Sequence, residues 1–99
     1  MLAQVPVKWI RRAGSAQLTT ADICVSRMFL CTAEPMKVGE LLKVEVNLPD
    51  GPLVLIVVVK NCGRRGQRAG AGVAVFQAAD EDAARWRRFC STLGCELPT

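Results

Sequence analysis

Seven consecutive apolar residues, Leu53-Val54-Leu55-Ile56-Val57-Val58-Val59, constrain the fold of this chain more than any other segment. The run is rich in β-branched side chains, which favour a pleated strand. It is far short of the roughly 20 residues that cross a bilayer as a helix. A strand that is apolar at every position must be covered on both faces. In a barrel only one face points inward. The other leaves Val54, Ile56 and Val58, or the alternate set, for something else to cover. The candidates are a helix, a second copy of the chain or a partner protein, and these three residues are candidate partner-binding positions.

Five further strands flank this one. Val5–Ile10 contains Pro6, which suits a strand start or an edge. Leu18–Val25 carries Thr19 and Thr20, and a tight reversal at Ser26-Arg27 leads to Met28–Thr32. Leu42, Val44, Val46 and Leu48 alternate with Lys43, Glu45 and Asn47, the pattern of a half-buried strand. Pro49-Asp50-Gly51-Pro52 is a strong turn signal. Cys62–Ala69 reads as a polar, arginine-rich loop, and Gly70–Phe76 as the sixth strand. Asp80-Glu81-Asp82 then opens a helix, with its carboxylates at the positive end of the helix dipole. Ala83, Trp86, Phe89, Cys90 and Leu93 form one apolar stripe, and Gly94 suits the helix stop. Six short strands and one helix predict an all-β-dominated fold. The expected architecture is a small six-stranded antiparallel β-barrel with a C-terminal α-helix covering an opening or a face. The chain reads as one domain over 1–99, with an ordered core over about 5–94.

Composition excludes several functions. The chain has no histidine, which removes the commonest general base and every Ser/His/Asp or Cys/His arrangement. No phosphate-loop or zinc-protease motif is present. The expectation is therefore no enzyme and no catalytic residue. Five cysteines, at 24, 31, 62, 90 and 95, include no Cys-x-x-Cys pair, so no metal is expected. They read as reduced, apolar-like side chains, although Cys90 and Cys95 could pair on oxidation. The first twelve residues lack the pattern of a signal peptide, so the expected location is cytoplasmic. A formal charge of +4 with five aromatics and no Tyr is poor equipment for nucleic acid. It does favour an acidic or phosphate-bearing partner.

Four segments, in this order, resemble the PilZ domain family of bacteria. They are Asp22-Ile23-Cys24-Val25-Ser26-Arg27 before an apolar strand, Val38-Gly39 before the alternating strand, Asn47-Leu48-Pro49-Asp50-Gly51, and Gly72-Val73-Ala74-Val75-Phe76 before the helix. The resemblance covers roughly residues 5–94. It implies a PilZ-like barrel. It also implies either a receptor for the second messenger cyclic di-GMP or a relative that has lost the ligand and binds proteins. The ligand-binding form carries an Arg-x-x-x-Arg stretch before the first strand and an Asp-x-Ser-x-x-Gly turn.

This chain departs from both elements. Met1–Gln4 contains no arginine, Cys24 stands at the serine position and Arg27 at the glycine position, while Asp22 matches. If the turn needed φ > 0, Arg27 would be strained, so a different turn shape is expected. The resemblance thus implies a non-enzymatic adaptor without cofactor. Such a module binds a protein partner in motility, type IV pilus or surface-polysaccharide regulation, and a homo-oligomer is one alternative. The second reading is a cyclic di-GMP receptor using Arg11, Arg12 and Arg27 in an altered arrangement. Lys8, Arg11 and Arg12 otherwise read as a solvated strand end. Arg64, Arg65 and Arg68 admit two readings, an anion-wrapping loop that meets an acidic partner or a plain hairpin connection. Trp86 and Phe89 read as core contacts of the helix, under the barrel or at its end.

Overall fold

All six expected strands form, and each pairs only with antiparallel neighbours. The computed structural model describes residues 4–34, 36–65 and 67–93. The elements in chain order are β1 (Pro6–Arg11), β2 (Gly14–Ile23), β3 (Arg27–Cys31), β4 (Leu41–Leu48), β5 (Gly51–Arg65), β6 (Arg68–Gln77) and α1 (Asp80–Thr92). The sheet order β1-β2-β3-β6-β5-β4 closes into a barrel, because β4 pairs back onto β1. Two-residue connections join β1 to β2 and β4 to β5, with Arg11 opposite Gly14 and Leu48 opposite Gly51. Gly14 and Gly51 take φ of +129° and +124°, a backbone that side chains with a Cβ avoid.

Alternation along each strand fills the interior. Val7 and Trp9, Leu18, Met28 and Leu30, Val44 and Val46, and Ala71 and Val73 are all buried. From β5, Leu53, Leu55, Val57 and Val59 point in, and Val54, Ile56 and Val58 lie half-buried on the outside. Thr20 is the one buried polar side chain among the described residues. Its Oγ1 accepts the Val5 N–H at 3.0 Å, and its own N–H donates to the Val5 carbonyl at 3.1 Å, so its burial is satisfied.

The helix closes one open end of the barrel. Trp86 and Cys90 are buried in the interior cluster, and Phe89 and Leu93 pack partly against it. Trp86 Nε1 donates to the Val25 carbonyl at 2.8 Å, which fixes α1 over the β2–β3 turn. Side chains of α1 also cap a sheet edge. The pairing of β5 with β6 begins at Ile56–Gln77, so the earlier residues of β5 lack a neighbour on that side. There Asp82 Oδ2 accepts the Val54 N–H at 3.2 Å. Arg85 donates to the carbonyls of Gly51 (2.8 Å) and Pro52 (3.0 Å).

Two sequence expectations need correction. Cys62–Ala69 is not a loop: β5 runs on to Arg65 and β6 starts at Arg68, the two residues being paired. Backbone ladder bonds stabilise this polar hairpin without the apolar alternation by which strands are recognised. Likewise β2 begins at Gly14, four residues earlier than the apolar pattern indicates, because the β1–β2 turn sets its register. Gly94 and Cys95 lie outside the described residues.

Three bulges interrupt the ladders. Register shifts occur between Thr20 and Asp22, between Ile56 and Val57, and between Val59 and Asn61. They leave Ala21, Phe76 and Lys60 as extra residues, each opposite no partner. A bulge turns two successive side chains to one face, here the outer one.

Candidate functional site

Phe29 faces out of the barrel and is nevertheless buried. Its neighbours Met28 and Leu30 occupy the interior, so alternation sends Phe29 to the outer wall, where its exposure is 1%. The adjacent strand makes room for it. A Cβ placed on Gly70 would lie 2.9 Å from Phe29 Cε1, and one on Gly72 would lie 2.7 Å from Asn61 Oδ1. The two glycines of β6 therefore form a trough that holds an aromatic ring and an amide. Asp22 pairs with Phe29, Phe29 with Gly72, and Gly72 with Asn61, giving a continuous row across β2, β3, β6 and β5.

A concave site of about 380 Å³ sits on this row, bordered by Asp22, Cys24, Arg27, Lys60 and Asn61 with Phe29 in its lining. The three degenerate motif positions are thus brought together. Cys24 and Arg27 close their turn through the Cys24 N–H to the Arg27 carbonyl (2.8 Å) and the Arg27 N–H to the Cys24 carbonyl (3.3 Å). No non-glycine residue among those described has positive φ, so Arg27 sits in this turn without backbone strain. Lys60 and Asn61 were not indicated by the sequence. The bulge at Lys60 turns both of them outward, and a bulge leaves no residue signature in an all-apolar run that simply turns polar. Two cations, a carboxylate and an amide around an aromatic floor make a binding arrangement for an anionic or carboxylate-bearing group.

The other sequence candidates lie elsewhere. Arg11 and Arg12 are at the β1–β2 hairpin, the end of the barrel opposite the Cys24–Arg27 turn, with the length of β2 between them. An arrangement combining Arg11, Arg12 and Arg27 is therefore not assembled. Arg11 is engaged locally, ion-paired with Glu34 and stacked 4.7 Å from the centre of the Trp9 ring. Arg64, Arg65 and Arg68 sit on the β5–β6 hairpin at this same far end. Arg68 reaches across β3 to donate to Thr19 Oγ1 at 2.7 Å. At the helix end, Arg85 donates to Asp50 at 3.1 Å and holds that exposed carboxyl below its ordinary pKa. No cluster of three or more potential metal ligands occurs among the described residues. No helix among them is long and apolar enough to cross a membrane.

The sequence matches no protein-family model and no curated protein. The fold is similar to a solved structure, the Bacillus subtilis inhibitor of motility (MotI/DgrA), with a TM-score of 0.80 and 14% sequence identity. The likeness covers 95% of this chain and 48% of that one. This chain therefore spans about half the length of that protein. At this identity the likeness establishes the fold, a closed six-stranded antiparallel barrel with a C-terminal helix.

Proposed function

We propose that this protein is a non-enzymatic regulatory module that acts by binding a protein partner and does not bind cyclic di-GMP tightly. The observation that carries this reading is the set of residues that borders the outer-wall site. Arg27 borders it where the resembled family carries a glycine, Cys24 replaces a serine hydroxyl with a weak hydrogen-bonding thiol, and Arg11 and Arg12 are at the opposite barrel end. Loss of two charge-assisted contacts weakens binding by about 1.5–3 kcal/mol each, enough to carry a micromolar site towards millimolar. The fold likeness to an inhibitor of motility supports a role in motility or related surface machinery such as type IV pili or polysaccharide export. An exposed, arginine-bearing hairpin end would speed encounter with an acidic partner.

Calorimetric titration of the purified protein with cyclic di-GMP tests the reading. No saturable binding tighter than about 10 μM is expected, roughly −7 kcal/mol. Sub-micromolar binding would make it a receptor instead.

A further inference from the structure

The β5–β6 hairpin outruns the rest of the barrel wall. The last residue of β5 paired with β4 is Val58, opposite Leu41. Val59 is still covered on that side, donating to the Glu40 carbonyl at 2.9 Å and accepting the Gly39 N–H at 2.8 Å. Beyond it, Asn61 to Arg65 pair with β6 alone. Among the described residues, no main-chain bond reaches Asn61, Cys62, Gly63 or Arg64 from the other side. The loop before β4 approaches through a side chain, the Cys62 thiol donating to the Met36 carbonyl at 3.1 Å. Asn61, Cys62, Gly63 and Arg64 are all exposed, and a Cβ on Gly63 would meet nothing within 4 Å. Such an edge presents N–H and C=O groups in a row, open to further pairing.

That row selects the form of its occupant. A helix spends its own backbone groups internally. A polyphosphate offers acceptors and leaves the carbonyls of the edge unmet. A lipid surface needs an apolar anchor, and Lys60 to Arg68 contain no aliphatic or aromatic side chain. An extended polypeptide meets donors and acceptors alike.

Charge selects which polypeptide. Lys60, Arg64, Arg65 and Arg68 are basic, and no acidic residue occurs between Lys60 and Ala79. Neither Lys60 nor Arg64 is in an ion pair among the described residues. Of the carboxylates around the hairpin, Glu34 is ion-paired with Arg11 and Glu40 accepts the Lys37 N–H at 3.2 Å. Asp22 stands on β2, with β3 and β6 between it and this edge. A second copy is disfavoured. Antiparallel pairing of the edge with itself, centred anywhere from Asn61 to Arg64, brings Arg64 within two positions of a cation on the other copy. Parallel pairing sets Arg64 against itself. Like charges at such cross-strand positions destabilise a pairing, and cations on an edge strand are a common guard against self-association.

We infer that the free edge of β5 at Asn61 to Arg65 receives an extended, acidic segment of a partner protein as an added strand. The inference rests on the reading of the protein as a partner-binding module, and names where the partner binds and in what form. Carboxylates of the added strand meet Lys60 and Arg64, which stand at the two ends of the exposed stretch.

Two fluorescent peptides of about ten residues test this, one alternating Thr with Glu and the other Thr with Lys. Anisotropy with the whole protein should show salt-sensitive binding of the Glu peptide and at least about tenfold weaker binding of the Lys peptide. Lys60→Glu with Arg64→Glu, both exposed positions, should reverse that preference with the circular dichroism unchanged. Two further Glu peptides carry N-methyl groups on one or the other alternate set of amides. Because an added strand bonds through one of its edges, one set should weaken binding at least about tenfold and the other less than about threefold. Equal effects of the two sets, equal binding of the Glu and Lys peptides, or no binding of either overturns the inference. So does self-association in sedimentation that Gly63→Pro abolishes, or displacement of the Glu peptide by anionic vesicles or a single-stranded oligonucleotide at concentrations below those at which unlabelled Glu peptide displaces it. Tight cyclic di-GMP binding would sink the functional reading while leaving the peptide result standing, so the two failures are distinguishable.

Discussion

Trp86 Nε1 donates a 2.8 Å hydrogen bond to the carbonyl of Val25, joining the C-terminal helix to the turn between Cys24 and Arg27. The helix therefore holds both the barrel closed and the border of the outer-wall site in place. Trp86→Phe keeps most of the ring and deletes the donor, and is expected to lower stability by about 1–3 kcal/mol. Trp86→Ala removes a buried ring as well and should cost about 3–5 kcal/mol. Urea denaturation measures both. A Phe variant as stable as the parent would show that the bond contributes nothing.

Ile56 and Val57 are sequence neighbours on opposite sides of the barrel wall. Val57 is fully buried and Ile56 half-buried on the outside. Val57→Lys should abolish cooperative folding, because it puts a charge in the interior without a partner. Ile56→Lys should leave a folded domain with altered association. Thermal melts followed by circular dichroism separate the two outcomes. A cooperative Val57→Lys melt near that of the parent would contradict the inward assignment.

Gly70 and Gly63 are opposite one another on the long hairpin, yet they tolerate a methyl group very differently. A Cβ on Gly70 would lie 2.0 Å from the Leu30 carbonyl oxygen, whereas one on Gly63 meets nothing within 4 Å. Gly70→Ala should destabilise by about 3 kcal/mol or more, since a backbone atom must move. Gly63→Ala should change stability by less than about 1 kcal/mol. Chemical denaturation of the two variants side by side checks the difference in sign and size.

The Asp50 carboxyl titrates below its ordinary range, first because Arg85 hydrogen-bonds to it. A carboxyl whose folded pKa is depressed adds stability above its unfolded pKa, and that stability fades as pH falls through the folded value. Carbon-detected NMR titration should place Asp50 low in the parent and return it to the ordinary carboxylate range in Arg85→Ala. Because Asp50 is fully exposed, the accompanying loss of stability on acidification should be small.

Much of the fold was legible because period-two alternation and turn chemistry survive in the sequence. Val44, Val46 and Leu48 announce an inward face, and Asp50-Gly51 marks the turn that the structure confirms. The helix stripe of Trp86 and Cys90 was equally plain. The far half of the β5–β6 hairpin was not, since Asn61–Arg65 is held by backbone pairing and carries no apolar signal. The candidate site was legible in part. Asp22, Cys24 and Arg27 lie close in sequence and close in space. Lys60 and Asn61 arrive from a distant strand through a bulge, and the burial of Phe29 depends on two glycines of another strand. Both are properties of register between strands, which a single sequence does not display.

The bulge at Lys60 also sets the phase of the hairpin. Without the extra residue, Asn61 onward would shift by one position and the alternating faces of this segment would be exchanged, Asn61 itself turning from the outer wall to the inner. The barrel interior before that point would not change. Ala21 and Phe76 occupy the same kind of position on β2 and β6. Together they are the places where the gain or loss of a single residue re-phases the rest of a strand, exchanging its interior and exterior faces from that point on.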